Sequence, residues 1–262
     1  MEKIKMKFKI FLLSIMFIFL TFVLTGCTNE NKDFLDDKIE SELKYLETNI
    51  YNIAYKYATR EYEENILNDN VIANIINLNE ENGVALDVSS LEINLINFDK
   101  VKDDVKKVNN SLDVLMIDLS EKNIEANSIL SLSQNINNLI INTSEENINI
   151  VLRDINEIEK NIVSNYNNLA ISDSKKKIRT LKSNILDVFV SSIIYEEKNI
   201  SKDAVNILLE NFRNDLNNQE FVNDNAYLIN NVYVLLQEFK SAVDLENEEL
   251  IKVKYLALID IL

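Results

Sequence analysis

The sequence predicts an all-α fold, a multi-helix bundle of seven or eight mostly antiparallel helices. Two observations carry this expectation. First, the chain of 262 residues has two glycines and no proline. Most β and α/β folds need glycine for positive-φ turns and bulges, and phosphate-cradling loops need several. Helices joined by polar Asn, Asp and Ser loops do not, because Asn tolerates the left-handed position that ends a helix. Second, apolar residues recur in steps of three and four along most of the chain, the period of one helix face. With 47% hydrophobic and 27% charged residues, the balance is that of a chain able to bury a core.

The elements follow in order from that rhythm. Asp33 to about Asn68 reads as one long helix, with Ile39, Leu43, Leu46, Ile50, Ile53 and Tyr57 on a heptad seam and Tyr51, Tyr55 and Tyr62 on a stripe beside it. Residues 69–97 are the least regular, and a division of the body there is left open. Asn82-Gly83 marks a turn, Val71 to Leu78 reads as helical, Val84 to Val88 as extended, and Ser89 and Ser90 as the opening of a short helix from Leu91. From Phe98 the seam resumes through Val101, Val105, Val108, Leu112, Leu115 and Leu119 to about Lys122. A helix near Ile124 to Ile141 follows. Thr143 and Glu146 then have the spacing of a capping box for a helix that carries Ile148, Val151, Ile155, Ile158 and Ile162 and ends near Leu169. Ser172-Asp173-Ser174 caps the next, to about Glu197. Ser201 opens another with Val205, Leu208 and Phe212. Leu228, Val232, Leu235 and Phe239 mark one more, and Leu250 to Leu262 is a short terminal helix.

The N-terminus carries an address. Residues 1–9 hold four lysines and one glutamate, and Ile10 to Leu24 is apolar apart from Ser14 and Thr21. As a helix this run is about 22 Å long, short of the ~30 Å hydrocarbon core of a bilayer. A basic end, a short apolar helix and small residues at the cut are the three parts of an export signal. Leu24-Thr25-Gly26-Cys27 resembles the lipobox of bacterial lipoprotein precursors. That resemblance implies diacylglyceryl transfer to the Cys27 sulfur and cleavage before it. The expected organisation is a lipoprotein signal peptide (1–26), a lipidated Cys27 with a short tether to Lys32 (27–32), and a helical domain (33–262). The body, on Ile39 to Ile50, on Val232 to Phe239 and on Val253-Lys254-Tyr255, is similar to uncharacterised helical lipoproteins of low-GC Gram-positive, clostridial-type bacteria. That likeness implies a helical fold and carries no functional residue across.

Charge and inventory exclude several functions. The net charge is −16, and removing residues 1–26 takes away four lysines and one glutamate, leaving −19. A surface of that sign repels nucleic acid and anionic headgroups. With no His and Cys27 as the one cysteine, Ser–His and Cys–His nucleophiles and thiolate or imidazole metal sites are unavailable. Asp33, Asp36 and Asp37 share one side of a helix, as a cation site or as a first turn that complements the helix dipole; the second reading is preferred. Lys175, Lys176, Lys177 and Arg179 form a basic cluster, read as a solvated face rather than a partner site. The tyrosine stripe is read as core edge with its hydroxyls in water rather than as a ligand groove. No catalytic residue, metal or cofactor is assigned. The expectation is a non-enzymatic interaction module at the cell envelope, held by its lipid on the extracytoplasmic face and meeting a protein or envelope partner. The alternatives are a ligand-binding lipoprotein of a transporter and a carboxylate-dependent surface hydrolase.

Overall fold

In the computed structural model the described residues are 30–65, 94–194 and 198–262. They form an all-α bundle of ten helical segments with one short strand pair. Helix α1 spans Glu30–Ala58. Strands β1 (Glu63–Asn65) and β2 (Asn94–Ile96) follow and pair antiparallel, Glu63 opposite Ile96. Then come α2 (Phe98–Asn110), α3 (Leu112–Glu121), α4 (Ala126–Ser144), α5 (Ile148–Asn167) and α6 (Asp173–Ile193). The chain closes with α7 (Lys198–Asp215), α8 (Gln219–Asp224), α9 (Ile229–Asp244) and α10 (Glu248–Ile261). Cys27, the leader, Val71 to Leu78, the Asn82-Gly83 turn and Val84 to Val88 lie outside the described residues.

The long α1 is the spine. It packs on α2, α3, α5 and α10, while α4 lies on α5, α5 on α6, α6 on α7 and α9 on α10. Connections of three to five residues between these consecutive pairs force neighbours to run antiparallel. Ile39, Leu43, Leu46, Ile50 and Ile53, the seam of α1, are all fully buried, and they share one apolar core with residues of every later helix. Tyr255 of α10 stacks on Phe189 of α6 with ring centroids 3.9 Å apart, which docks the terminal helix.

Among the described residues, asparagine supplies four of the five side-chain caps seen at helix starts. Side-chain oxygens of Asn97, Asn147, Ser172, Asn218 and Asn247 each accept from backbone N–H groups of the first turn of α2, α5, α6, α8 and α10. Each such cap is worth ~1 kcal/mol. The stops differ from expectation. Four non-glycine residues take positive φ at helix ends: Arg60, Asn123, Glu146 and Glu246. Only one of them is asparagine. The conformation costs an L-residue about 1–2 kcal/mol. Backbone bonds across the turn repay part, such as Ile124 N–H to Leu119 C=O at 3.0 Å and Asn247 N–H to Ala242 C=O at 3.2 Å. The other three side chains each reach a different part of the chain: Arg60 to Glu249 at 2.6 Å, Glu146 to Lys102 at 3.0 Å, and Glu246 to Lys202.

Several expected boundaries are corrected. Helix α1 begins inside the expected tether, taking in Glu30 to Lys32, and ends at Ala58 rather than near Asn68. Arg60 turns the chain there, and Tyr62 folds back into the core with its hydroxyl donating to Asp104 at 2.8 Å. Burying that ring outweighs two more helical turns. Asn94–Ile96 is strand, not helix. The Phe98–Lys122 helix breaks at Ser111, whose hydroxyl bonds back to the Lys107 carbonyl at 2.9 Å and competes with the helical ladder. Thr143 is not a cap. It lies in the last turn of α4 with its hydroxyl on the Leu139 carbonyl, and Glu146 takes the left-handed turn, so Asn147 caps α5 instead. Ser201 is buried within α7 rather than opening it. On α9 the seam runs through Leu236 in place of Leu235, which is half-buried. Helix α8 is too short to show a period.

Leu112 is buried at the start of α3 and Asn110, two residues before it, is exposed. Leu112→Ala leaves a cavity and is expected to cost ~2–5 kcal/mol in chemical denaturation, whereas Asn110→Ala stays within about 0.5 kcal/mol. An unchanged midpoint for Leu112→Ala would remove this residue from the core.

Candidate functional site

The site grows from a conflict inside the core. Glu47 sits one residue after Leu46 of the α1 seam and is 6% exposed. Glu159 of α5, four after Ile155 and three before Ile162, is 0% exposed. Their positions on the apolar faces carry both carboxyls inward. Burial pushes both up from the ordinary carboxylate range, and for Glu159 the neighbouring charge of Glu47 adds to the effect. Glu159 stays well above its ordinary value, because it receives one hydrogen bond, from the Tyr51 hydroxyl at 3.3 Å, while its other oxygen has no partner among the described residues. Burial therefore favours its neutral form.

Glu47 has a stronger partner. Arg179 of α6 donates to it at 2.7 Å and to Glu40 at 3.1 Å, and the same guanidinium lies 3.6 Å over the ring of Tyr166 on α5. The Tyr166 hydroxyl in turn donates to the backbone carbonyl of Glu40 at 3.2 Å. One side chain thus ties α1, α5 and α6 together. Charged hydrogen bonds and the ring face together compensate a guanidinium taken out of water.

Above this network opens a cleft of about 620 Å³. Glu40, Lys44 and Glu47 of α1 form one wall; Ser174, Lys175, Ile178, Arg179 and Lys182 of α6 form the other. The corner between α8 and α9 closes one side with Asp224, Asn225, Tyr227 and Leu228, and Leu262 lies at the rim. That corner is pinned to the start of α6, since the Asn225 amide donates to Ser174 Oγ at 2.9 Å and to the Phe221 carbonyl at 2.8 Å. Burial lowers the pKa of Lys182 against the pull of Glu47.

Two further acidic sites join helices. Asp104 of α2 accepts from Lys56 at 2.8 Å, Lys107 at 2.6 Å and Tyr62 at 2.8 Å. Burial raises its pKa, but these three donors outweigh burial and hold it below the usual value. Glu42 and Asp118 pair as two carboxyls between α1 and α3. Burial, then the hydrogen bond and charge of Asp118, push Glu42 up to about 7. Lys38 holds Asp118 at 2.7 Å.

The residues singled out from sequence have different fates. Asp36 is buried and paired with Lys122 at 2.5 Å, Asp37 is exposed, and the Asp33 side chain lies outside the described residues. Among the described residues no group of three or more His, Cys, Asp or Glu could hold a metal ion. The basic cluster is a solvated face only in part, since Lys175 is exposed while Lys177 and Arg179 are drawn into part-buried pairs. Lys175 meets Glu40 at 3.2 Å, Lys177 meets Asp215, Lys176 donates to the Asn167 carbonyl at 3.0 Å, and Arg179 is the buried tie described above. Two of the three tyrosines of the stripe do not leave their hydroxyls in water, since Tyr51 and Tyr62 give theirs to Glu159 and Asp104. Sequence reasoning missed Glu47, Glu159 and Lys182. The available signal was an acid at seam spacing, most plainly Glu159 between Ile155 and Ile162.

The raised carboxyls fix the sign of a pH effect. Burial holds the carboxyls of Glu42 and Glu159 above the ordinary glutamate range, so the folded chain holds protons that the unfolded chain releases. The contribution of Glu42 is full below the ordinary glutamate range and is lost as pH rises through about 7. Denaturation midpoints are expected to fall between about pH 5 and pH 8, by the order of 1–2 kcal/mol. Glu159→Gln and Glu42→Gln each flatten the slope. A wild-type stability flat over that range, or Gln variants with an unchanged slope, would contradict the assignment.

Comparison with family models, with curated proteins and with solved structures finds no match to this chain.

Proposed function

We propose that the protein is a lipoprotein attached through Cys27 to the extracytoplasmic face of a cell membrane, and that its helical body is a non-enzymatic binding module at the cell envelope. The lipobox Leu24-Thr25-Gly26-Cys27, in register with a basic end and a short apolar run, is the observation that carries the reading. Two acyl chains give stable anchoring where one is marginal. No described helix is long and apolar enough to cross a membrane. With α1 starting at Glu30, two residues separate it from Cys27, a span of about 10 Å. A body so tethered works close to the bilayer, and its negative charge keeps it from lying flat on anionic lipid.

The cleft also supports the reading of a ligand-binding lipoprotein that serves a transporter, a special case of the same module. Hydrolysis has less support. A carboxylate pair needs two acids flanking open space, but Glu47 is bound by Arg179 and Glu159 is wholly enclosed.

Labelled palmitate fed to expressing cells is expected to enter the wild type and not Cys27→Ala, which accumulates as precursor or is released. Equal labelling of both would remove the anchor. A pull-down from native membranes tests the module, with a stoichiometric partner as the expected result.

A further inference from the structure

Four cations line the cleft between α1 and α6, and they are not equivalent. Lys175 is paired with Glu40, and Arg179 with Glu40 and Glu47. Lys44 and Lys182 have neither a hydrogen bond nor an ion pair on their ammonium groups among the described residues. Lys182 is half-buried. An ammonium taken partly out of water without a partner is unfavourable, and here it persists in a chain that has 43 acidic residues against 27 basic ones. The acid that acts on it most strongly, Glu47, is committed to Arg179.

We infer that this cleft binds a small carboxylate-bearing molecule, its carboxylate held by Lys182 and Lys44 and its apolar body against Ile178, Tyr227 and Leu228. The two unpaired lysines argue for one carboxylate. Lys44 and Lys182 stand in a lining that also holds Glu40, Glu47 and Asp224, so a monoanion meets two donors, whereas a phosphate dianion adds repulsion beside three carboxylates. A volume of about 620 Å³ suits a small molecule rather than a protein segment. Tyr227, 78% exposed at the rim, gives the apolar body a flat face without closing the entrance. The Ser172 and Ser174 hydroxyls, used as acceptors within the fold, each keep a proton to donate to a carbonyl on the ligand.

The inference rests on the binding-module reading, but the two fail separately, because lipid labelling tests the anchor and titration tests the cleft. N-acetylleucine is the probe, with N-acetylleucine amide as its neutral counterpart and inorganic phosphate as the competing anion, all at constant ionic strength. Binding is read from lysine Cε signals in carbon-13 spectra of the protein. The expected result is a saturable shift of the Lys182 and Lys44 signals with N-acetylleucine and none with the amide. Lys182→Met should weaken binding at least tenfold, and Lys254→Met, which is not among the lining residues and is paired with Glu238, should leave it unchanged. Lys182→Met should also melt no lower than the wild type, since it removes an unpaired, half-buried charge. No saturable shift up to about 50 mM, where affinity falls to a few kcal/mol, would overturn the site. Phosphate binding as tightly as the carboxylate would overturn the ligand class. Marked destabilisation by Lys182→Met would show an ammonium already satisfied by the fold, and would overturn its binding role.

Discussion

A guanidinium buried between three helices is the contact on which this bundle depends. Arg179 meets two carboxylates of α1 and the ring of an α5 tyrosine. Apolar seams alone let helices slide by a turn at small cost, since one leucine replaces another. A forked cation with two acid partners and a ring does not allow that, because each contact has its own direction. The register of α6 on α1 is therefore set by charge, and the cleft above it inherits that geometry.

The three acidic sites along α1 show how the number of donors decides the state of a buried acid. Asp104 has three donors and is held below its usual pKa. Glu42 is held up by its burial and by the neighbouring carboxyl of Asp118. Glu159 has a single tyrosine hydroxyl, and burial holds it well above the ordinary glutamate range. Each acid lies within a helix–helix contact, so changes in protonation are changes in helix packing. Lys182, short of a partner in the same network, is the counterpart on the cationic side.

Much of the fold was legible because the apolar period was unbroken. Ile39 to Ile53, Val101 to Leu119 and Val151 to Ile162 are buried as their spacing implied. The seam on α9 drifted by one position, to Leu236, where two adjacent leucines offered equal periods. The helix ends were less legible. Arg60, Glu146 and Glu246 stop helices in a conformation that composition assigns to Gly or Asn, and tertiary ion pairs at those residues leave no local mark. The strand pair is legible only from both ends together, since Glu63–Asn65 and Asn94–Ile96 are distant in sequence. The site was the least legible part. Glu47 looks like one more polar-face acid until Arg179, 132 residues later, is seen beside it. The lysine run around Arg179 suggested solvent where the fold places a cation whose side chain is only 12% exposed.

The central claim is that the Arg179–Glu47 pair fixes α6 on α1 as a buried, not a surface, interaction. A double-mutant cycle of Arg179→Met and Glu47→Gln, followed by chemical denaturation near pH 7, measures it directly. Arg179→Met alone should cost ~3–5 kcal/mol, because it strands buried carboxylates, and adding Glu47→Gln should recover at least ~1 kcal/mol of that loss. A loss under ~1 kcal/mol for Arg179→Met, the range of exposed pairs, or strict additivity of the two substitutions, would contradict the account.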